Sequence, residues 1–227
     1  MISRGVTKYP AFTFLPNDFL FSEKLYVIAD ERYSLFCILS SDIHAVWAWA
    51  QKTSMADNLS SLSYTNGDIF ETFAFPADVL ANGDDELELL GEKFFNARQQ
   101  CMESTNSGLT KLYNDFHDPA VNGAAIQQLR NLQQQISRAV CQRYGWGDIE
   151  MVCGFHAVGY LPDGSNTRFT ISETARPEVL RRLSKLNETR VDQQTQPGKA
   201  TVDRTGSDTP GAAAVLGHDL FAMGSKA

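Results

Sequence analysis

KLYVIADERYSLFCILSSDIHAVWAWAQK, running from Lys24 to Lys52, decides how the first part of this chain is read. Lys24 to Ala29 and Tyr33 to Leu39 are apolar runs rich in β-branched and aromatic residues, parted by the polar turn Asp30-Glu31-Arg32. Runs of that length and composition predict two strands, paired as a hairpin or lying as neighbours. Ser40-Ser41-Asp42 offers side-chain acceptors for the first free N–H groups of a helix, and Ile43 to Lys52 fits a short one. Upstream, Thr7 to Leu15 reads as a further strand punctuated by Pro10 and Pro16. Downstream, a polar stretch with the turn signal Asn66-Gly67 leads to Ile69–Phe75 (IFETFAF), whose alternation predicts a last strand before Pro76.

Beyond Asn82-Gly83 the period changes. Leu87, Leu90, Phe94, Ala97 and Cys101 recur at three- and four-residue steps and predict a long amphipathic helix. A short helix over Thr110 to Phe116 precedes Asp118-Pro119, and Ile126, Leu129, Leu132, Ile136, Ala139, Val140 and Tyr144 mark a second long helix with Gly145 as its C-cap. The two long helices are expected to pack antiparallel through their apolar stripes. Residues 146–171 read as irregular and Gly-rich with a turn at Pro162-Asp163-Gly164, and Pro177 to Val191 as a third helix. The fold class is therefore α+β. A β-rich module over residues 1–80 is followed by a helical module over 84–191 and a flexible tail over 192–227, whose Gln, Thr, Gly, Asp and Pro bury too little apolar surface to offset chain entropy.

The 227 residues are 43 % hydrophobic and 21 % charged, which excludes a coiled-coil rod, a collagen and wholesale disorder. No apolar run approaches the ~20 residues of a membrane span, and no charged start with an apolar block opens the chain. Cys37, Cys101, Cys141 and Cys153 lie far apart without a C-x-x-C pair, the usage of reduced cytoplasmic thiols. The net charge of −7 is unevenly spread: residues 1–90 hold five basic and thirteen acidic side chains. Phosphate neutralisation needs Lys and Arg, so this balance argues against a nucleic-acid binder that works alone.

Catalytic motifs fare badly. Gly145-Trp146-Gly147 follows a helix instead of a strand and reads as a cap. Cys153-Gly154-Phe155-His156 with Cys141 has looser spacing than a zinc site uses, so these read as core or interface side chains. His44 and Trp47 share one helix face, with Asp42 on the wrong side to serve as a catalytic partner, which predicts a half-buried histidine stacked on tryptophan. Lys93, Arg98, Arg130, Arg138 and Arg143 line the long helices as a solvated face or as backbone contacts for a nucleic acid. The polar connection from Lys52 to Tyr64 (KTSMADNLSSLSY) carries side chains that hydrogen-bond base edges or phosphates.

Four stretches in this order carry a family resemblance. Leu39-Ser40-Ser41-Asp42-Ile43-His44-Ala45-Val46-Trp47 resembles the L-S-S-x-x-H-x-x-W stretch in the C-terminal half of type II restriction–modification N6-adenine DNA methyltransferases, the large single-chain MmeI-like enzymes and their BREX and DISARM relatives. Phe70-Glu71-Thr72-Phe73-Ala74-Phe75-Pro76 is similar to their F-E-T-F-P-F-P segment, with Ala74 where proline is frequent. Leu109 to Asn114 and then Ile126 to Trp146 resemble their L-T-x-L-Y-N and Y-G-W helices, and Leu180 to Arg190 their closing L-x-x-L-x-x-L-N-x-x-R. The resemblance covers residues 1–191.

It implies a target recognition domain with a C-terminal helical segment, reading double-stranded DNA around the adenine to be methylated. The N-P-P-Y-type loop that shapes the pocket for the flipped base is absent, for none of the eight prolines are adjacent. This chain is accordingly expected to hold no cofactor and no catalytic residue. S-adenosylmethionine would bind a methyltransferase catalytic domain or subunit, which would also supply phosphate contacts. On position, Lys52, Thr53, Ser54, Asn58, Ser60, Ser63 and Tyr64 are the expected groove-facing residues, and Arg4 and Lys8 the phosphate contacts. The surroundings of Trp47 are expected to lie open to a groove. The rival reading is an acidic interaction module that docks on a partner without touching DNA.

Overall fold

The computed structural model describes residues 1–51 apart from 17 and 19, and 61–195 apart from 163. The class is α+β. A three-stranded antiparallel sheet opens the chain, with β1 (Ile2–Arg4) between β3 (Phe12–Thr13) and β4 (Leu25–Val27), so that Ile2 faces Thr13 on one side and Val27 on the other. The terminal amine donates to the Ile28 carbonyl at 2.9 Å. A second pairing joins β2 (Val6–Thr7) to β5 (Leu62–Ser63). Pro10 lies between β2 and β3, so the strand expected over Thr7 to Leu15 is two short pieces around a turn.

The run YSLFCIL is not a strand. It forms helix α1 (Tyr33–Ser40), followed across Ser41 by α2 (Asp42–Ala50). Six consecutive residues, Ser34 to Leu39, are buried, because α1 lies against β3, α2, α4 (Asp85–Thr105) and α6 (Ala124–Arg143). A helix wrapped on all sides has no polar stripe, and its sequence cannot be told from a buried strand by period. Its first free N–H groups have no local cap. Instead the Glu88 carboxylate of α4 accepts from the N–H of Tyr33 at 2.9 Å and of Ser34 at 2.6 Å. One turn further along α4, a Cβ on Gly91 would stand 2.2 Å from the Tyr33 carbonyl oxygen. The glycine is what lets the two helices approach so closely.

IFETFAF also departs from the expected strand. Thr65 accepts from the Asp68 N–H and starts a π-helical turn, Asn66–Phe70. An irregular segment then tucks Phe70, Phe73 and Phe75 together, with ring centroids 5.2 and 4.7 Å apart. Next come α3 (Ala77–Asn82), the turn glycine Gly83, and α4, whose cap is Asp84 accepting from the Leu87 N–H at 2.9 Å. Leu87, Leu90, Phe94, Ala97 and Cys101 are buried as their spacing predicts. α5 (Leu109–His117) precedes α6, and Gly145, at φ 72°, closes α6 as expected.

Within the stretch read as irregular, Cys153–Ala157 (β6) and Thr167–Ile171 (β7) form an antiparallel hairpin in which Phe155 faces Phe169. The last helix, α7 (Ala175–Thr195), carries Pro177 in its first turn and runs four residues into the stretch expected to be a flexible tail. The rest of that stretch lies outside the described residues. One apolar core runs from Met1 to Leu183 and passes through the expected module boundary at 80–84. α1 packs on α4 and α6, and α2 on α6 and α7, so residues 1–80 share their core with the helices that follow.

Candidate functional site

Of the nine residues expected to meet DNA, Lys52, Thr53, Ser54, Asn58 and Ser60 lie outside the described residues. Arg4 is exposed at the end of β1, and Ser63 is half-buried on β5 opposite Val6. Tyr64 faces no groove: it is 1 % exposed, with its hydroxyl 3.2 Å from His44 Nε2. Strand β5 alternates faces, and the step after Ser63 returns the chain to the core.

The surroundings of Trp47 are walled in. Trp47 is 1 % exposed, and its Nε1 donates to the Ile69 carbonyl and to Thr72 Oγ1, both at 3.2 Å. His44 is fully buried, and the rings packed edge-on against it are Phe73 and Phe12, not Trp47. Its Nδ1 lies 2.9 Å from the Leu39 carbonyl, an obligate acceptor, so Nδ1 carries the proton and Nε2 accepts from Tyr64. Burial drives its pKa down to about 4, leaving a neutral core histidine.

The helix arginines are spent internally. Arg130 donates to the carbonyls of Asp115, Phe116, Asp118 and Val121 at 2.8–3.1 Å, tying together the C-terminal end of α5 and the turn that follows it. Arg98 is buried among Phe36, Phe94 and Phe95 and donates to the Phe12 carbonyl. Arg143 pairs with Asp84 and Glu86. None of these three is available to a nucleic-acid backbone. Lys93 is exposed on α4, and Arg138 donates to the Met151 carbonyl at 3.3 Å.

Lys8 leads to a different place. Beside it the Lys8–Pro10 turn, the end of α5 and the β6–β7 hairpin enclose a cavity of about 70 Å³. Tyr9 is its centre. His117 stacks on the Tyr9 ring at 5.0 Å, Lys8 Nζ lies 5.2 Å from the ring centroid, and the Arg168 guanidinium 5.3 Å. Trp49 and Tyr160, stacked at 4.5 Å, close another wall. Asn114 Oδ1 accepts from both Lys8 Nζ (3.1 Å) and the Tyr9 hydroxyl (2.8 Å) and fixes the turn against α5.

The polar groups of this cleft divide sharply. Asp42 is 4 % exposed and pairs with no cation among the described residues, yet it accepts from four donors: Thr170 Oγ1 and Ser137 Oγ at 2.7 Å, Gln133 Nε2 at 3.3 Å and Cys153 Sγ at 3.5 Å. It bolts the start of α2 to α6 and the hairpin. Arg168, 7 % exposed, spends Nη1 on the Ser165 and Thr167 carbonyls, while its buried Nη2 has no hydrogen-bond partner. His117 Nδ1 accepts from the Phe169 N–H at 3.1 Å, which puts the ring proton on Nε2. Burial holds the His117 pKa well below the usual histidine range, helped by the positive charges of Arg168, Arg130 and Lys8. The site is an aromatic cleft lined by the cations Lys8 and Arg168 and by the buried carboxylate of Asp42.

Tyr9, His117, Arg168, Trp49 and Tyr160 were not legible as a site: they come from five separate stretches, and only the fold brings them together. The cysteines go elsewhere, Cys141 donating to the Trp146 carbonyl and Cys153 to Asp42, and burial raises both thiol pKa values. Among the described residues no group of three or more His, Cys, Asp or Glu side chains stands where it could hold a metal ion, and no helix is long and apolar enough to cross a membrane. Comparison with protein-family models, curated proteins and solved structures gave no match.

Proposed function

We propose that this chain is the DNA sequence-recognition portion of an S-adenosylmethionine-dependent, adenine-N6 DNA methyltransferase of the type II restriction–modification kind. It acts in the cytoplasm beside a catalytic domain or subunit that supplies the chemistry. One observation carries the reading: the stretches that resemble that family, scattered over residues 39–190, meet in one contact network. Trp47 of the first bonds Ile69 and Thr72 beside the second, and His44 packs on Phe73 at 5.0 Å. The Tyr144 hydroxyl, from the Y-G-W helix, donates to the Ala74 carbonyl at 2.8 Å. Arg190, from the closing helix, donates to the Phe75 carbonyl. Stretches that jointly build one recognition scaffold are expected to meet in this way.

The charge distribution supports a division of labour. With Arg98, Arg130 and Arg143 turned inward, the cations left on the strand side are few, Arg4 and Lys8 among them. Most phosphate contacts then fall to the catalytic partner, and this chain contributes base reading and a small number of anchoring charges. The test is a gel shift on duplex DNA at low salt with the full chain alone and with an N-P-P-Y-bearing methyltransferase module. Weak, salt-sensitive binding alone that tightens with the module is expected. A module that binds the chain while DNA affinity stays unchanged would favour the acidic docking role instead.

A further inference from the structure

We infer that the cleft between the Lys8–Pro10 turn and the β6–β7 hairpin is a phosphate site, in which Lys8, His117 and Arg168 hold one phosphate group. The inference rests on the DNA reading only for the source of that group, a backbone phosphodiester.

Lys8, His117 and Arg168 line one cleft. Three nitrogen donors stand around one aromatic ring: Lys8 Nζ and the Arg168 guanidinium lie within 5.3 Å of the Tyr9 centroid, and the His117 ring within 5.0 Å. A buried guanidinium nitrogen without a partner is costly and rarely left so in a folded protein. Arg130 shows how this fold treats a buried arginine it uses structurally, with each nitrogen on a carbonyl. Arg168, which lines the cleft, departs from that pattern: its Nη2 is without a partner, as Ser40 Oγ in the same cleft and Arg98 Nε in the core also are. The acid lining the cleft, Asp42, makes its hydrogen bonds to hydroxyl, amide and thiol donors and none to Arg168.

Size and field narrow the ligand further. A cavity of about 70 Å³ has room for a small compact group. The charged groups acting on His117 are cationic, namely Arg168, Arg130 and Lys8, so an anion on the His117 side of the cleft is attracted by them, with the Asp42 carboxylate opposing from the lining. His117 offers its Nε2 proton while neutral, as Nδ1 is already an acceptor. Exposed Lys8 stands at the mouth, where a strand of DNA can reach.

Two measurements on the full chain test the site, with Lys8→Met as the exposed variant, in which the Tyr9 hydroxyl still ties the turn to Asn114, and Arg168→Met as the buried one. On duplex DNA with the methyltransferase module, Lys8→Met should flatten the slope of log affinity against log salt by about one unit, the signature of one lost phosphate contact. In calorimetry with inorganic phosphate, either variant should weaken binding about tenfold, as befits loss of a charge-assisted bond. DNA binding with an unchanged slope and unchanged phosphate affinity in both variants overturns the site and leaves the DNA reading standing. No DNA binding, together with phosphate affinity that falls in both variants, keeps the site as one for free phosphate and removes the DNA reading. Absence of phosphate binding in the unaltered chain, with no salt-slope change, overturns the site outright.

Discussion

The corner around His44 and the cleft around His117 use the same side-chain types to opposite ends. In the corner, His44 carries its proton on Nδ1 and gives it to a backbone carbonyl, while Nε2 accepts from Tyr64, so both ring nitrogens are used. Trp47 Nε1 likewise has two acceptors. In the cleft, His117 accepts from the Phe169 N–H at Nδ1 and stacks on Tyr9, and Arg168 keeps a nitrogen with no partner. A polar group that is fully satisfied holds a fold together. One that is left over costs stability and adds nothing to that hold.

The largest effect expected from this contrast is in the corner. Trp47→Ala removes a large buried ring and leaves the Ile69 carbonyl without its donor, so it should cost about 4 kcal/mol in denaturant unfolding. A loss below about 2 kcal/mol would mean that the corner collapses around the gap and is no anchor of the scaffold.

Acid should reach the corner next. His44 has its folded pKa depressed to about 4 from the ordinary 6.5. The unfolded chain therefore binds the extra proton first as pH falls, and stability drops between pH 6.5 and 4. The full effect is about 3 kcal/mol, absent above pH 6.5 and complete below 4. His117, also depressed, acts in the same direction. Urea titrations from pH 7 to 4 would show the decline, and His44→Gln should flatten part of it. An equal pH slope in that variant would clear His44 of the effect.

How much of this was legible in the sequence follows from where each partner sits. The faces of α4 and α6 were readable because half-exposed helices alternate between core and water, and Leu87, Phe94, Leu129 and Ile136 record it. Helix α1 was misread because its cap, Glu88, and the glycine that admits it, Gly91, lie more than fifty residues away. The β6–β7 hairpin was missed because its residues interleave Gly, His and Arg, and its apolar pair Phe155 and Phe169 is recognisable only across the register. Among the expected site residues, Lys8 leads to the cleft while Tyr64 leads into the core. Polar residue types in a loop say what a side chain could bond. They do not say which way it turns.

A gentler probe of the corner's reach is Tyr144→Phe, which removes the bond to the Ala74 carbonyl and keeps the ring stacked on Trp146 at 4.4 Å. A loss of about 1 kcal/mol is expected in denaturant unfolding, the ordinary net worth of one such bond. No loss would mean that the Y-G-W helix touches FETFAF without helping to hold it.

The smallest effect, and the most telling, belongs to Arg168→Met. Were Arg168 a structural arginine like Arg130, removing it would strand the carbonyls it serves and destabilise the hairpin clearly. Its two bonds, however, run to Ser165 and Thr167, within three residues of itself at the end of β7, where those carbonyls lie close to solvent. The substitution also removes a buried donor that has no acceptor. These contributions oppose each other, so stability should shift by less than about 1 kcal/mol in either direction. A loss above about 2 kcal/mol in thermal or denaturant unfolding would place Arg168 with Arg130 among the residues that build the molecule, and the distinction between corner and cleft would fail.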